Sequence, residues 1–144
     1  MMYPKYEEDF YGWISSSIGL LKQKRFGEMD IDHLIEELED MGNNKKHALV
    51  SRLAQLIFHL LKWQHQPDFR GRSWDASIQE QRKKIKKLLF ENPSLKSELN
   101  MFLVDAYEDS VLLIKKETPI DLKLFPKECP YTLEHIMNGD FYPD

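Results

Sequence analysis

The chain has a single cysteine, Cys129, among 144 residues. A lone thiol excludes an intramolecular disulfide framework and a cysteine-rich zinc site. No run reaches the roughly 18 apolar residues needed to cross a bilayer, so no transmembrane helix is expected. The first residues, Met1-Met2-Tyr3-Pro4-Lys5-Tyr6-Glu7-Glu8-Asp9, lack the apolar stretch of a secretory leader. A soluble, cytoplasmic protein is therefore expected. An excess of basic charge is also missing: 20 Lys and Arg stand against 24 Asp and Glu, a formal charge of −4. That balance argues against a chain coated by nucleic acid. Convincing strand alternation, internal repeats, low-complexity tracts and glycine-rich phosphate loops are all absent.

What is present is globular composition, with 42% apolar and 31% charged residues. A chain of this length can bury roughly 68–70% of its unfolded surface, so a core needs no covalent staple. One domain over residues 1–144 is expected. The 6 glycines and 7 prolines punctuate long segments of period near 3.6.

Four main helices follow from that punctuation. The first is expected from about Lys5 to Arg25, with Tyr6, Phe10, Trp13, Leu20 and Leu21 on one face. Asp30 is a good N-cap for the second, which carries the stripe Ile31, Leu34, Ile35, Leu38, Met41. After Gly42-Asn43-Asn44 the stripe resumes in phase as Leu49, Leu53, Leu56, Leu60, Trp63. Acidic residues before Gly42 and Lys45-Lys46-His47 after it would suit neither a helix end nor a new start. One long helix to about Gln64 is favoured over a break at Gly42. Ser73 opens the third helix, Trp74 to about Glu91. Asn92-Pro93 opens the fourth, to about Glu117. A short helix is expected at Thr132–Met137. The fold class is all-α: an irregular bundle of about four helices with a short C-terminal helical appendage. Apolar residues outside the core stripe, such as Val104, Val111 and Leu112, suggest a second buried surface or a partner.

Charge is blocked along the chain. Residues 28–40 hold Glu28, Asp30, Asp32, Glu36, Glu37, Glu39 and Asp40 and no Lys or Arg. Residues 70–87 hold Arg70, Arg72, Arg82, Lys83, Lys84, Lys86 and Lys87 against Asp75 and Glu80. Arg70, Arg72, Lys83, Lys84, Lys86 and Lys87 are the candidates for a nucleic-acid or anion site. The competing reading, a solvated helix face or one that packs beside acidic charge, is preferred, because interleaved aromatics are missing.

Polar residues in core phase are the sharper signal. Arg52, Gln55 and His59 share one side of the second helix, Gln81 and Arg82 lie on inward turns of the third, and Asp9 and Asp109 fall near inward faces. A buried arginine needs compensation, and Asp9, Glu37 and Asp109 are the expected carboxylate partners of Arg52 and Arg82. These residues form either a network that fixes helix register or a small site. In the site reading His59 is acid–base or ligand, and Arg52 or Arg82 binds an anionic group. His33, Glu36 and Asp40 are expected in water opposite the apolar stripe, and no metal site or cofactor is assigned. Cys129 reads as a packing residue.

Taken in order, several segments carry a family resemblance. They are Tyr6-Glu7-Glu8-Asp9-Phe10-Tyr11-Gly12-Trp13, Leu34-Ile35-Glu36-Glu37-Leu38-Glu39-Asp40-Met41-Gly42 and His59-Leu60-Leu61-Lys62-Trp63-Gln64-His65-Gln66-Pro67. Arg72-Ser73-Trp74, Glu80-Gln81-Arg82, Asn92-Pro93-Ser94-Leu95, Phe125-Pro126 and Cys129-Pro130-Tyr131-Thr132-Leu133-Glu134 complete the series. The whole resembles the bacterial domain-of-unknown-function family 29. The resemblance implies a small all-helical protein and carries over no reaction, cofactor or catalytic residue. The functional reading preferred from the residues is an interaction module, homodimeric or partner-binding, with no membrane association. An enzyme or anion-binding protein built on His59, Arg52 and Arg82 is the alternative, and nucleic-acid binding through residues 70–87 is a third.

Overall fold

The computed structural model describes residues 2–144. The main elements are α1 (Phe10–Lys22), α2 (Ile31–His65), α3 (Arg72–Glu91), α4 (Leu99–Glu117) and the short α5 (Leu133–Met137). Short 3₁₀ segments join them, the longest at Pro93–Glu98 before α4, and no strand occurs among the described residues. The all-α class and the C-terminal appendage expected from periodicity are both present. No helix among the described residues is long and apolar enough to cross a membrane.

The first helix starts later than expected. Residues 6–8 form a turn, and Asp9 caps α1 by accepting a hydrogen bond from the Gly12 amide at 2.9 Å. Asp9 therefore lies at the exposed helix start and not on its inward face, a correction that follows from the preference of Asp for the N-cap. The other end of α1 closes with two bonds, Lys24 N to Leu21 O at 3.0 Å and Arg25 N to Leu20 O at 2.9 Å. Lys24 takes the left-handed conformation (φ 57°) that this motif demands.

Helix α2 runs unbroken through Gly42-Asn43-Asn44. Caps that would stop it there are missing, and its hydrophobic phase is continuous. The chain divides into two compact units, one ending at Asn44 and the other spanning Lys45–Asp144. Helix α2 contributes residues to both.

In the first unit Trp13, Ser17 and Leu20 of α1 are buried. Tyr6 stacks on the His33 ring at 4.1 Å and meets Trp13 edge-on at 4.9 Å. The stripe expected to be core is not covered. Ile31, Ile35, Leu38 and Met41 of α2 are exposed, as are Phe10, Ile18 and Leu21 of α1.

The second unit has a conventional apolar interior. Leu49, Leu53, Leu56, Ile57, Leu60 and Leu61 of α2 pack with Ile78, Ile85 and Leu89 of α3. Phe102, Ala106, Tyr107 and Ile114 of α4 and Ile136 of α5 complete that core. Tyr131 anchors the irregular segment before α5 by donating to the Gln64 side chain at 2.5 Å and to the Leu60 carbonyl at 3.3 Å. Burial pushes its phenol pKa well above the ordinary tyrosine value.

Candidate functional site

The polar residues singled out on apolar faces have different fates. Arg82 is the largest fully buried side chain, 2% exposed. Its expected carboxylate partner is not there. Three backbone carbonyls receive its donors instead: Ile136 at 2.8 Å, Phe141 at 2.8 Å and Gly139 at 3.4 Å. The physical reason is geometric. The last turn of α5 and the irregular segment after it offer several carbonyls without helix partners, and a forked guanidinium can satisfy more than one of them. Desolvation lowers the Arg82 pKa from its ordinary value, while Tyr142, Asp75 and Asp140 oppose that shift.

Arg52 is half-buried, and its charge acts on the exposed Glu80 carboxylate. Neither Asp9, Glu37 nor Asp109 forms an ion pair with Arg52 or Arg82 among the described residues. Glu37 accepts instead from the Tyr6 hydroxyl. That bond, together with desolvation, pushes the Tyr6 phenol up to about 12. Asp109 is exposed, in a cleft of about 470 Å³ that also takes in Gln55 and His47.

His59 is a neutral imidazole over most of the pH range. Burial, aided by the nearby Lys62 charge, pulls its pKa down to about 4. Its Nδ1 is buried without a partner among the described residues, as is Oε1 of Gln81. The ring lies against Phe58, centroids 5.4 Å apart. Lys62 lies over the Phe58 and Trp74 rings at 4.4 and 4.7 Å, and desolvation lowers its pKa. The clefts at residues 2–33, 47–116 and 103–129 are lined by other side chains than Arg52, His59 and Arg82.

The basic block of residues 70–87 divides in the same way. Arg70 is turned inward, donating to the Trp63 carbonyl at 2.6 Å with its guanidinium over the Trp63 ring. Arg72, Lys83, Lys84, Lys86 and Lys87 are exposed along α3, and Lys84 pairs with Glu80 at 2.6 Å. No group of three metal-ligating side chains occurs among the described residues. Cys129 is half-buried against the core, and burial raises its thiol pKa.

Two features of the first unit were not legible as such in the sequence. One is a cleft of about 620 Å³ lined by residues from Met2 to His33. At its wall Asp30 accepts from the Trp13 indole N–H at 3.2 Å and bonds the His33 ring Nδ1 at 2.6 Å. The bond to His33 holds the Asp30 carboxyl below the usual range, and the same bond raises the His33 imidazole. His33, expected in water, is half-buried under Tyr6. The spacing Asp30-x-x-His33 at a helix start was the available signal. The nearby Glu28 carboxylate accepts from Tyr3 at 2.9 Å and pairs with Arg25.

The second feature is the open apolar surface. Ile31, Ile35 and Leu38 follow the alternating four- and three-residue spacing of a coiled-coil seam. In α1 the apolar arc is about half of the helix circumference, and only its Trp13–Ser17–Leu20 side is buried. The chain thus combines a solidly packed helical unit with a two-helix unit whose hydrophobic faces stay in water.

The family model described as "Domain of unknown function DUF29" matches residues 5–142, nearly the whole chain. The protein belongs to that family. No curated protein and no solved structure matches it.

Proposed function

We propose that the protein is an interaction module, and that its first unit pairs with the same unit of a second copy. The observation that carries this reading is the uncovered hydrophobic surface. Nine large apolar side chains between Phe10 and Met41 are about half exposed or more: Phe10, Tyr11, Ile18, Leu21, Phe26, Ile31, Ile35, Leu38 and Met41. Monomers rarely leave contiguous patches beyond a few hundred Å² in water. One side of a standard protein interface covers about 800 Å², which is the scale that nine such side chains supply.

Charge indicates which faces meet. The α2 stripe is flanked by Asp32 and Glu39, and the open arc of α1 by Lys22, with Lys24 just beyond. Packing α2 on α2 of another copy would set acidic flanks together. Packing α2 on α1 of another copy sets acid beside base, twice in a two-fold pair. Up to Asn44 the chain holds ten acidic and four basic residues, so an arrangement that sets those few cations at the seam lowers the repulsion between two copies.

Sedimentation equilibrium on the full chain tests the reading. The expected result is a dimer at tens of micromolar, and a monomer for Leu38→Glu with its helical circular dichroism retained. A wild-type chain that stays monomeric at millimolar concentration overturns it, and so does a Leu38→Glu variant that dimerises like the wild type.

A further inference from the structure

The cleft in the first unit is lined by none of the nine side chains that carry the dimer reading, although Phe10 touches its Tyr6 and Trp13 walls, and it has its own chemistry. We propose that it binds an organic ammonium group, held by carboxylates at its rim, by tyrosine rings and by the hydroxyl of Ser17.

The volume, about 620 Å³, is in the range of small-ligand sites. Four carboxylates line it, those of Glu7, Glu8, Glu28 and Asp30, against the two basic side chains Lys5 and His33. Glu28 is already paired with Arg25 and Asp30 with His33, so the excess is that of Glu7 and Glu8, and it repels anions and concentrates cations. Two of the carboxylates are fixed in place by their own bonds, Glu28 to Arg25 and Tyr3, and Asp30 to Trp13 and His33. Preorganised acceptors lose little on meeting a ligand. Glu7 and Glu8 are exposed and make no side-chain hydrogen bond or ion pair among the described residues, so their charge is free to act.

Ser17 points to a ligand independently of this charge. It is 8% exposed, it lines the cleft, and its hydroxyl has no hydrogen-bond partner among the described residues. Helical hydroxyls usually bond back to the preceding turn. Ser110 and Thr118 do so here, to the Tyr107 and Ile114 carbonyls at 2.7 Å each. Ser17 leaves a polar group unspent on the cleft wall.

The remaining walls select among cations. No trio of metal-ligating side chains occurs among the described residues, which disfavours a bare metal ion. Tyr3, Tyr6 and Trp13 supply apolar and π-rich surface. Alkylammonium groups suit such walls, since the carbon chain packs on rings while the charge meets carboxylates. A free alkylamine and a lysine side chain share this chemistry.

The test is a titration of the full chain with n-butylammonium chloride at low ionic strength, followed by calorimetry and by the His33 ring proton shifts. Saturable binding is expected, with no binding of n-butanol or acetate. A cation in the cleft also lowers the titration midpoint of His33, whose charged surroundings are Asp30, Glu7 and Glu36. Glu7→Gln with Glu8→Gln should weaken butylammonium binding several-fold, and Ser17→Ala by about threefold to tenfold. A short lysine peptide that binds more tightly than butylammonium identifies a side chain as the ligand, and equal or weaker binding identifies a free amine. The proposal is overturned if butylammonium shows no saturation, if butanol matches it, or if both variants bind as the wild type does. Because Leu38→Glu does not touch the cleft, that variant should still bind, which separates this result from the oligomeric state.

Discussion

Arg82 in α3 and Ile136 in α5 are separated by 54 residues and joined by a 2.8 Å hydrogen bond from the guanidinium Nε to the carbonyl. Two more carbonyls, of Gly139 and Phe141, complete the site of this buried cation. Its role is to hold the end of the chain on α3. Gln79 adds bonds to the Gly139 carbonyl and the Tyr142 hydroxyl, and Tyr142 bonds Asp75.

Arg82→Met should therefore destabilise the second unit by about 3 kcal/mol, since it strands buried acceptors that a charged donor had satisfied. Urea unfolding measures this. Lysine at the same position should recover only part of the loss, because a single ammonium cannot match the fork of three bonds. A near-neutral Arg82→Met would show that water replaces the guanidinium at no cost.

His59 sets a pH dependence. Its folded pKa, about 4, lies below the ordinary histidine value of about 6.5. The unfolded chain binds the extra proton first, so stability is complete above pH 6.5 and falls as pH drops through the window toward 4. The loss is about 2 kcal/mol, less than the full linkage value because the ring is only partly shielded from water. Unfolding midpoints at pH 7 and pH 4.5 measure it, and His59→Gln should flatten the difference.

Lys24 and Gly42 each occupy a position that suits the other's residue type. Lys24 has φ 57°, where a side chain is strained and glycine is not. Gly42 lies within α2, and a Cβ there meets no atom within 4 Å. Lys24→Gly should stabilise by about 0.5–1 kcal/mol and Gly42→Ala by about 1 kcal/mol. Thermal melts of each variant check both, and a destabilised Gly42→Ala would show that α2 needs a soft point at that position.

The electrostatic arrangement proposed for the dimer predicts a pattern and not only a loss. Lys22→Glu and Glu39→Lys should each weaken association by about 0.5–1 kcal/mol, and the double variant should regain most of it. Sedimentation at two salt concentrations reads the cycle. Additive losses would disprove the α1-on-α2 pairing.

Helix number and order were legible because the apolar phase is kept from Ile31 to Trp63 across Gly42-Asn43-Asn44 and because Asn92-Pro93 marks a boundary, although it opens the 3₁₀ segment Pro93–Glu98 and α4 itself begins at Leu99. The same period could not say what covers a stripe. Leu53 and Leu38 carry the same signal, yet Leu53 is fully buried and Leu38 is 64% exposed. The interior position of Arg82 followed from its phase in α3. Its partners did not, because backbone carbonyls of an irregular segment leave no mark in side-chain composition. Asp9 was misplaced for a related reason: one acidic residue before an apolar run fits both a cap and an inward position, and local capping chemistry decided it. The Asp30–His33 contact needed the turn of α2 to become visible.

The burial of Pro143, together with the Arg82 bonds to residues 136–141, has a consequence for biosynthesis. The second unit cannot close until residues 136–143 have left the ribosome, because their backbone and side chains complete its interior. The first unit has emerged long before then. Its exposed apolar side chains, Ile35 and Leu38 among them, therefore meet water before the core built on Leu53 and Leu56 has closed.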